Sequence, residues 1–507
     1  MSLVIGIDGG TEGLRAFVFD LQGRPKGSGV ASYPTWFPQP GCAEQEPISW
    51  WVALGEASQK ALKEAEAAPQ EIKAVAVDTT CCSVVALNER MESLRPALIW
   101  MDVRARQEAQ DVLATHDPAV QLNAAGNGPV SAEWMIPKAL WLKRNEPDTY
   151  AQAAAICEYQ DYLNYRMTGR YVGSFNNCSI RWHFVKRNGG LPASLLSSLG
   201  LSDLAEKWPR TIVSVGEIIG ELTSEAAKHM GLVEGTPVVQ GGADAFIGMV
   251  GLGVISPGQL ALITGSSHLQ LAVTDRPTFS RGWWGPYEDC VYKGSFVIEG
   301  GQTSTGSIIK WFLTNFCAGA SHAELNDAAE RVGPGADGLL VLDHFQGNRM
   351  PYTDPTSRGA IVGLTLAHTP AHVYRAVIEG ICFGTEAILR AFQTDEFRLT
   401  EVVIAGGAAK SAFWLQTHAD VSGLPLIRTE IADAPALGSA ILAAVGAKLF
   451  DSIGEAVQAM VRNKEIIEPN EDKHAVYAEL FESYSRMYGA IKEIRENTPE
   501  KLSRRPH

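Results

Sequence analysis

The sequence is poor in cysteine, with eight residues in 507 and no Cys-x-x-Cys pair. Cys81 and Cys82 are adjacent and cannot form an ordinary disulfide, so we expect a reduced protein without a disulfide framework. No apolar run approaches the roughly 20 residues that a membrane-spanning helix needs. The first predicted strand begins at Leu3, which leaves no room for a signal peptide. These absences predict a cytoplasmic protein that is not bound to membranes.

Positive charge is also scarce, because 43 Lys and Arg residues stand against 57 Asp and Glu residues, a formal net charge of −14. This balance argues against nucleic acid or an acidic membrane surface as the main partner. If the ligand is itself an anion, its attraction must be local. Backbone N–H groups, a few Arg or Lys side chains and a metal ion are the groups that can supply it.

The segment of residues 236–253, TPVVQGGADAFIGMVGLG, predicts a buried strand that breaks at Gly241-Gly242 and leaves Asp244 at the start of a helix. Glycines at this point let the backbone turn sharply and approach a ligand closely. A carboxylate there lies at the carboxyl end of a strand, where open α/β sheets place their ligand sites. The structural alternative is that Asp244 only caps the helix, which is a common use of aspartate.

Residues 3–20, LVIGIDGGTEGLRAFVFD, read as two apolar strands joined by a glycine-rich link. Asp8 ends the first strand, and Gly10 and Thr11 offer unhindered N–H groups and a hydroxyl. Such a link can hold a phosphate through backbone donors while the carboxylate orders a hydrated cation. A plain tight turn uses the same residue types, but it gives no purpose to the buried Asp8.

A second hairpin at residues 259–274 repeats this pattern, with Thr264 and Gly265 in the link. A chain of 507 residues is too long for one core, so two or more domains are expected. Two similar hairpins half a chain apart predict a duplicated fold whose halves face each other across a phosphate.

Polar side chains follow several predicted strands of the N-terminal half. Asp78 and Thr80 follow the strand at residues 73–77, and Asp102 and Arg104 follow the strand at residues 96–100. On one rim these groups would suit recognition of a neutral polyol, although a rim salt bridge between Asp102 and Arg104 is the commoner explanation. Residues 105–116 and 137–166 have helical patterns.

A glycine pair, Gly406-Gly407, lies between a predicted strand and the helix that begins near Ser411. Glycines at this place allow a flat ring or a ribose to lie against the backbone. Packing between strand and helix is the alternative use of such a pair.

Together these segments resemble the FGGY family of carbohydrate kinases over nearly the whole chain. The most specific parts are IGIDGGTEGLRAFVFD, GGADAFIGMVGLG, FQGNRMPYTDPTSRGAIVGLT, IAGGAAKSAFWLQTHADV and APALGSAILAAVGA. The resemblance implies an α/β protein of two actin-like (ribonuclease H-like) domains, related by duplication, with a deep catalytic cleft between them. It implies that residues 1–253 bind the sugar and carry the first phosphate hairpin, and that residues 254–507 bind ATP.

The resemblance also assigns roles to individual residues. It implies that Asp244 is the catalytic base and that Asp8, with Asp244, is associated with Mg²⁺. Substrate binding is expected from Thr80, Asp102, Arg104, Glu133, Arg181, Asp244 and Gln302. ATP binding is expected from Gly10, Thr11, Arg15, Thr264, Gly265, Gly406, Gly407 and Ser411. Two departures stand out: Glu12 replaces a frequent Ser or Thr, and Ala408 replaces a frequent third glycine.

Within the family the chain resembles the ribulokinase branch. DTTCCSVV looks like the Asp-Ala-Thr-Cys-Ser run of D-ribulokinases, and VSAEWMIPK is similar to the Ser-Ser-Glu-Trp segment of L-ribulokinases. The Gln-Met-His of xylulokinases is missing. The expected substrates are therefore ATP and a ketopentose of the ribulose type, phosphorylated at its terminal hydroxyl.

Two alternatives stay open at this point. One is a xylulokinase or a polyol kinase acting on glycerol, erythritol or ribitol, and the remote one is an actin-like switch ATPase without a sugar substrate. No nucleic acid or membrane partner is expected, and a homodimer is one assembly that the sequence allows.

Overall fold

The computed structural model describes residues 2–126, 128–317, 319–395 and 397–497. The strands up to Ala243 are β1 Leu3–Gly9, β2 Gly13–Asp20, β3 Pro25–Ser32, β4 Glu44–Gln45, β5 Ile72–Thr79, β6 Val84–Leu87, β7 Ala97–Leu98, β8 Ala155–Glu158, β9 Val172–Ser174, β10 Thr211–Val213, β11 Ile218–Glu221 and β12 Pro237–Ala243. The later strands are β13 Gln259–Thr264, β14 His268–Thr274, β15 Trp284–Glu288, β16 Phe296–Gln302, β17 Leu340–Leu342, β18 Ala360–Val362, β19 Glu401–Gly406, β20 Leu426–Thr429 and β21 Asn463–Ile467.

The α-helices up to Gly251 are α1 Pro47–Glu64, α2 Arg106–Ala114, α3 Met135–Asn145, α4 Pro147–Gln152, α5 Tyr159–Thr168, α6 Phe175–Arg181, α7 Ala193–Ser198, α8 Leu204–Lys207, α9 Ser224–Met230 and α10 Asp244–Gly251. The later helices are α11 Gly306–Phe316, α12 His322–Val332, α13 Pro370–Phe392, α14 Ala412–Ser422, α15 Ala434–Gly446, α16 Ile453–Met460 and α17 Glu471–Glu496. Within the described ranges, no helix is both long enough and apolar enough to cross a membrane.

The chain forms two compact units, neither of which is continuous in sequence. The first unit comprises Met1–Ser256, Val273–Ile298 and Glu430–Arg462, and the second comprises Pro257–Ala272, Glu299–Thr429 and Asn463–His507. The sequence-based division has one boundary, between residues 253 and 254. It therefore does not assign Val273–Ile298 and Glu430–Arg462 to the first unit. The assignment of sugar binding to one part and ATP binding to the other stays a prediction.

The first unit is built on a six-stranded sheet with the order β11-β12-β5-β1-β2-β3. β1 runs parallel to β5 and antiparallel to β2, and β12 runs parallel to β5. Every residue of β1 is buried, which explains why this strand is an almost continuous apolar run. The register pairs Asp8 with Asp78 on β5 and with Arg15 on β2, so three charged side chains meet where these strands end or turn.

The second unit repeats this arrangement with the strand order β16-β14-β13-β19-β20-β21. β13 is antiparallel to β14 and parallel to β19, β19 is parallel to β20, and β21 closes the series antiparallel to β20. The same sequence of orientations occurs in the first unit from β2 through β1, β5 and β12 to β11. The predicted duplicated α/β fold is therefore confirmed.

One predicted helix is wrong. Residues 137–166 do not form one helical region, because strand β8 separates α4 from α5 and pairs antiparallel with β6. The alanine-rich sequence before β8 resembles a helix, but Ala155–Glu158 is fully buried, and the partner strand overrides local propensity.

Helices α10 and α15 approach each other and β1 at glycines. A Cβ atom on Gly6 would lie 1.9 Å from the Ala436 carbonyl oxygen, and a Cβ atom on Gly438 would lie 2.1 Å from the Ile247 carbonyl oxygen. The backbones are thus in direct contact, which no larger residue allows. This contact fixes the start of α10, where Asp244 lies, relative to the end of β1, where Asp8 lies.

We predict that Gly6→Ala lowers the unfolding free energy by about 1–3 kcal/mol or more, because the new methyl group meets backbone atoms that cannot move aside. The midpoint of thermal or chemical unfolding measures the change. Gly454→Ala in α16 is the matched control, since its Cβ would meet its nearest neighbour at 3.8 Å. That variant should be neutral or slightly stabilised. Equal destabilisation of both variants would contradict the backbone-contact explanation.

Candidate active site

Asp244 is the first residue of α10, directly after β12 ends at Ala243. Its Oδ1 accepts the N–H of Ala245 at 2.7 Å, and the side chain is half-buried. Burial and the negative charge of Asp8 raise the pKa of Asp244 to about 7, although Arg15 and Arg181 oppose that shift. A carboxyl group with a pKa near neutrality suits a proton acceptor. The capping position itself is Ala243, so capping does not account for Asp244.

Asp8 is buried at the end of β1, with 2% of its surface exposed, and it forms an ion pair with Arg15 of β2. Arg15 also contacts Asp433, with 2.6 Å between Nη1 and Oδ1. Burial raises the pKa of Asp8, and the positive charge of Arg15 opposes this. One arginine therefore links the carboxylate of the first strand to the segment that precedes α15.

Asp78 is not a rim residue, contrary to the sequence-based expectation. Its side chain is fully buried beside Asp8, and its Oδ2 accepts the hydroxyl of Ser439 at 2.6 Å. Ser439 lies on α15, far away in sequence, and no motif in the N-terminal half indicates this contact. Asp78 thus ties β5 to α15 behind Asp8.

The link between β1 and β2 borders a cavity of about 400 Å³. The Thr11 Oγ1 accepts the Trp100 Nε1–H at 2.8 Å, and the Gly10 N–H donates to the Gly13 carbonyl at 3.0 Å. Arg15 also lines the cavity, and so does Glu12, which brings a negative charge to its edge. The predicted residues Gly10, Thr11 and Arg15 are therefore brought together.

Arg181 lies at the end of α6 among aromatic rings, with 7% of its surface exposed. Its guanidinium carbon is 5.4 Å from the ring centre of Trp134 and 5.8 Å from that of Trp284, and its Nη1 donates to the Tyr287 hydroxyl at 3.3 Å. Its positive charge acts on Asp244 and lowers the pKa of that group. This places one cation, aromatic faces and the candidate base in the same part of the first unit.

Asp102 and Arg104 form a salt bridge with each other, which was the alternative to polyol recognition in the sequence analysis. Asp102 is fully buried, and its Oδ2 accepts the Arg104 Nε–H at 2.9 Å and the Ala43 N–H at 2.7 Å. Arg104 also donates to Glu44 at 2.6 Å. Because these groups are occupied by one another, the geometry favours a structural salt bridge over contact with a sugar hydroxyl.

Thr80 and Glu133 are better placed to meet a ligand. Thr80 is half-buried directly after β5, and its N–H donates to the Gly9 carbonyl at 2.9 Å. Glu133 is also half-buried, in the turn that precedes α3 and not in its first turn, because the helix begins at Met135. The negative charge of Glu133 reaches Lys138, whose pKa it raises against the larger lowering effect of burial.

In the second unit, Thr264 lies against the glycine pair. Its Oγ1 accepts the Ala408 N–H at 3.0 Å, and its carbonyl accepts the Gly407 N–H at 2.9 Å. Gly406 has φ +94°, and a Cβ atom there would lie 1.9 Å from the Thr264 carbonyl oxygen. The predicted group of Thr264, Gly265, Gly406 and Gly407 is therefore assembled at the ends of two paired strands.

Ser411 and Gln302 have structural partners. The Ser411 hydroxyl caps α14 by accepting the Trp414 N–H at 3.2 Å. Gln302 is buried in the second unit, and its Nε2 donates to Asp343 and to the Ile381 carbonyl, both at 2.9 Å. Its Oε1 accepts from Gln270 and Thr385, so all the hydrogen bonds of this amide are used inside the unit. The geometry does not support sugar binding by Gln302.

The sequence matches the FGGY family of carbohydrate kinases in both of its domains, the N-terminal domain over residues 3–251 and the C-terminal domain over residues 260–447. The chain belongs to this family. It is 31% identical to the ribulokinase of Geobacillus thermodenitrificans, covering 96% of this chain and 94% of that one. It is 28% identical to the xylulose kinase of Bacillus subtilis, covering 97% and 98%.

A solved relative has the same fold. The xylulose kinase of Rhodospirillum rubrum matches with a TM-score of 0.88 at 26% identity, covering 97% of this chain and 99% of that one. As a member of the FGGY family, the protein is a carbohydrate kinase, and the family implies ATP as its co-substrate. Relatives named for ribulose and for xylulose are similarly distant, so the family alone does not fix the sugar.

Sequence reasoning missed one residue of this FGGY kinase, Lys138 of α3. Its ammonium is fully buried and donates to the carbonyls of Cys82 at 2.7 Å, Ile99 at 2.7 Å and Leu98 at 3.3 Å. Three N–H groups meet three acceptors, which satisfies the cation. Lys138 thus joins the segment after β5 to the segment after β7. The sequence feature that could have indicated its burial is a lysine in an otherwise apolar stretch of a helix.

We predict that Lys138→Met destabilises the protein, by about 1–3 kcal/mol for each carbonyl left without a donor and without water. The KM for the sugar should rise more than the KM for ATP, because the loosened segments follow β5 and β7. Denaturant midpoints and steady-state kinetics measure the two effects. Lys143→Met on the same helix removes partly exposed contacts, an ion pair with Asp203 and a hydrogen bond to the Gly200 carbonyl, and should change little. An unchanged midpoint in Lys138→Met would contradict this role.

Proposed function

We propose that this FGGY kinase phosphorylates a ketopentose of the ribulose type at its terminal hydroxyl, with ATP as the phosphoryl donor. The observation that carries the proposal is the grouping of Arg181, Asp244 and aromatic rings in the first unit. Glu133 directly precedes one of these rings, Trp134. The 31% identity to a ribulokinase over nearly the full chain supports the choice of sugar. The nearest rival is a xylulose kinase, because relatives of that name are almost as similar.

In the proposed reaction the terminal hydroxyl oxygen of the sugar attacks the γ-phosphorus of ATP. The new O–P bond forms as the bond from γ-phosphorus to the bridging oxygen breaks, and ADP leaves. The Asp244 carboxylate accepts the proton of the attacking hydroxyl. Phosphoryl transfer depends mainly on positioning the reactants and on neutralising charge. The reaction therefore needs one well-placed base and no covalent intermediate with the protein.

The guanidinium of Arg181 would donate to the keto oxygen or O1 of the sugar, and Glu133 would accept a hydrogen bond from a sugar hydroxyl. Buried polar groups of this kind reject a sugar whose hydroxyl points the wrong way, since the protein group is then left without a partner. The rings of Trp134 and Trp284 exclude water from this part of the site.

Asp8 and Asp244 suit Mg²⁺ held jointly with the phosphates of ATP. The described part of the chain contains no group of three or more His, Cys, Asp or Glu side chains that could hold a metal ion alone. Mg²⁺ keeps several waters and is usually bound by one or two carboxylates together with substrate phosphates. Two neighbouring carboxylates without a full protein cage fit that requirement. Bound there, the ion would neutralise charge on the transferring phosphoryl group.

For the phosphates of ATP, the proposed contacts in the first unit are the backbone N–H groups of the hairpin link around Thr11, with Arg15 as the cation. In the second unit the corresponding candidates are the backbone N–H groups of the hairpin link around Gly265. Gly406 and Gly407 leave the backbone of the second unit bare beside Thr264, where a ribose or adenine could lie against it. A Cβ atom on Gly407 would meet nothing within 4 Å, which supports open space at this position.

We predict that Asp244→Asn retains the fold and ATP binding but loses activity by about 10²–10⁴-fold, because it cannot accept the proton. In the parent enzyme, kcat/KM for the sugar should fall as the pH drops below about 7, since the raised pKa of Asp244 keeps the carboxyl group protonated there. A pH–rate profile and ATP-binding calorimetry measure these effects.

A control for that assignment is Asp8→Asn, measured on its residual activity. The charge of Asp8 raises the pKa of Asp244, so its removal should move the acidic limb of the profile to lower pH. A near-normal kcat in Asp244→Asn, or a limb that stays in place in Asp8→Asn, would remove Asp244 from the proposed role.

We predict that D- or L-ribulose gives the highest kcat/KM in a panel that also contains xylulose, ribitol, erythritol and glycerol. Arg181→Ala should raise the KM for the sugar and leave the KM for ATP nearly unchanged, because Arg181 lies among Trp134, Trp284 and Tyr287 at the proposed sugar site. Arg187→Ala, which removes a surface pair with Glu288, is the matched control and should behave as the parent enzyme. Higher kcat/KM with xylulose or glycerol than with either ribulose enantiomer would contradict the substrate assignment.

A further inference from the structure

Two adjacent thiols, Cys81 and Cys82, follow β5 directly after Thr80. Their Sγ atoms are 3.6 Å apart, and both cysteines are free thiols. Cys82 is 2% exposed, whereas Cys81 is half-buried and reaches solvent. The proposed phosphoryl transfer does not use these two side chains.

The backbone holds the pair in place from both sides. The Cys82 N–H donates to Glu158 Oε2 at 2.9 Å, and the Cys82 carbonyl accepts from the buried Lys138 ammonium at 2.7 Å. Cys82 has φ +65°, in the left-handed region that non-glycine residues seldom adopt. Backbone geometry that is fixed in this uncommon conformation keeps the two thiols side by side before any ligand arrives.

The distance between the two sulfur atoms decides which chemistry suits them. A disulfide needs about 2.05 Å between sulfurs, so closing one would require the backbone to move. Two sulfurs bound to one central atom at about 2.3 Å each lie about 3.3–3.8 Å apart, for angles at that atom between about 90° and the tetrahedral value. The observed 3.6 Å matches the second arrangement without rearrangement.

We propose that Cys81 and Cys82 form a vicinal dithiol site that chelates a thiophilic centre, with a trivalent arsenical as the representative ligand. An arsenoxide, R–As=O, reacts with both S–H groups: two As–S bonds form, the As=O bond is lost, and its oxygen leaves as water with the two thiol protons. No oxidant or reductant takes part. The first bond forms at the accessible Cys81, and the second closes within the molecule on Cys82.

The position of the pair has a consequence for catalysis that rests on the proposed sugar site. Cys82 lies close enough to Arg181 for that charge to act on its thiol, and Thr80 precedes the pair directly. An organic group attached to arsenic at this place would occupy space assigned to the sugar. Chelation should therefore compete with sugar binding.

The test uses the full-length protein and phenylarsine oxide. We expect one adduct per native chain, seen by intact mass as one reagent added and one water lost. A small dithiol should reverse the adduct, and a monothiol at the same thiol concentration should not. Cys81→Ser and Cys82→Ser should each abolish the stable adduct. Cys42→Ser and Cys317→Ser, which change other partly exposed cysteines, should retain it.

The outcomes distinguish the existence of the dithiol site from its location in the sugar site. An adduct that persists in Cys81→Ser, or one that forms only after denaturation, would overturn the dithiol site whatever the kinase activity. Protection by the preferred sugar, with inhibition lost in Cys81→Ser, would support the link to catalysis. A Cys81–Cys82 adduct without sugar protection would support the dithiol site and overturn its place in the sugar site. Cys81→Ser is the safer variant for folding, because Cys81 is less buried than Cys82.

Discussion

The direct contact between backbones of α15, α10 and β1 is the constraint on which the candidate active site depends. Glycines at Gly6, Gly251 and Gly438 bring these elements closer than any side chain would permit. Asp8 ends the strand, Asp244 begins one helix, and Asp433 precedes the other. The site is therefore set by main-chain packing, and its carboxylates need no flexible loop to bring them together. Rigid elements hold reacting groups more accurately than loops do.

The candidate active site also depends on the hydrogen bonds made by buried charged side chains. Lys138 and Asp102 have no exposed surface, and each meets specific partners rather than solvent. Charged groups removed from water are costly unless their hydrogen bonds are made. These two residues therefore fix the segments after β5 and β7, while more exposed residues such as Thr80 and Glu133 remain able to meet a ligand.

Local patterns were sufficient to predict the two hairpins, the strand before Asp244 and the duplicated α/β fold. They were insufficient where a contact joins distant segments, as between Asp78 and Ser439, because the sequence does not record which helix covers which strand. The sugar-binding role of Gln302 was expected from the family resemblance, yet four partners inside the second unit use its amide. The salt bridge between Asp102 and Arg104 was predictable as the commoner explanation, because the two residues are only two positions apart in the chain.

The first unit is completed by residues 430–462, which include α15 and are separated from residue 256 by most of the second unit. A growing chain makes the six-stranded sheet first and the helix that covers β1 only about 200 residues later. At about 5–20 residues per second, that interval is on the order of 10–40 s. Throughout it, the glycine-lined surface of β1 and α10 is open to other hydrophobic segments. The order of synthesis thus exposes this kinase to misassembly at the very surface that later aligns its carboxylates.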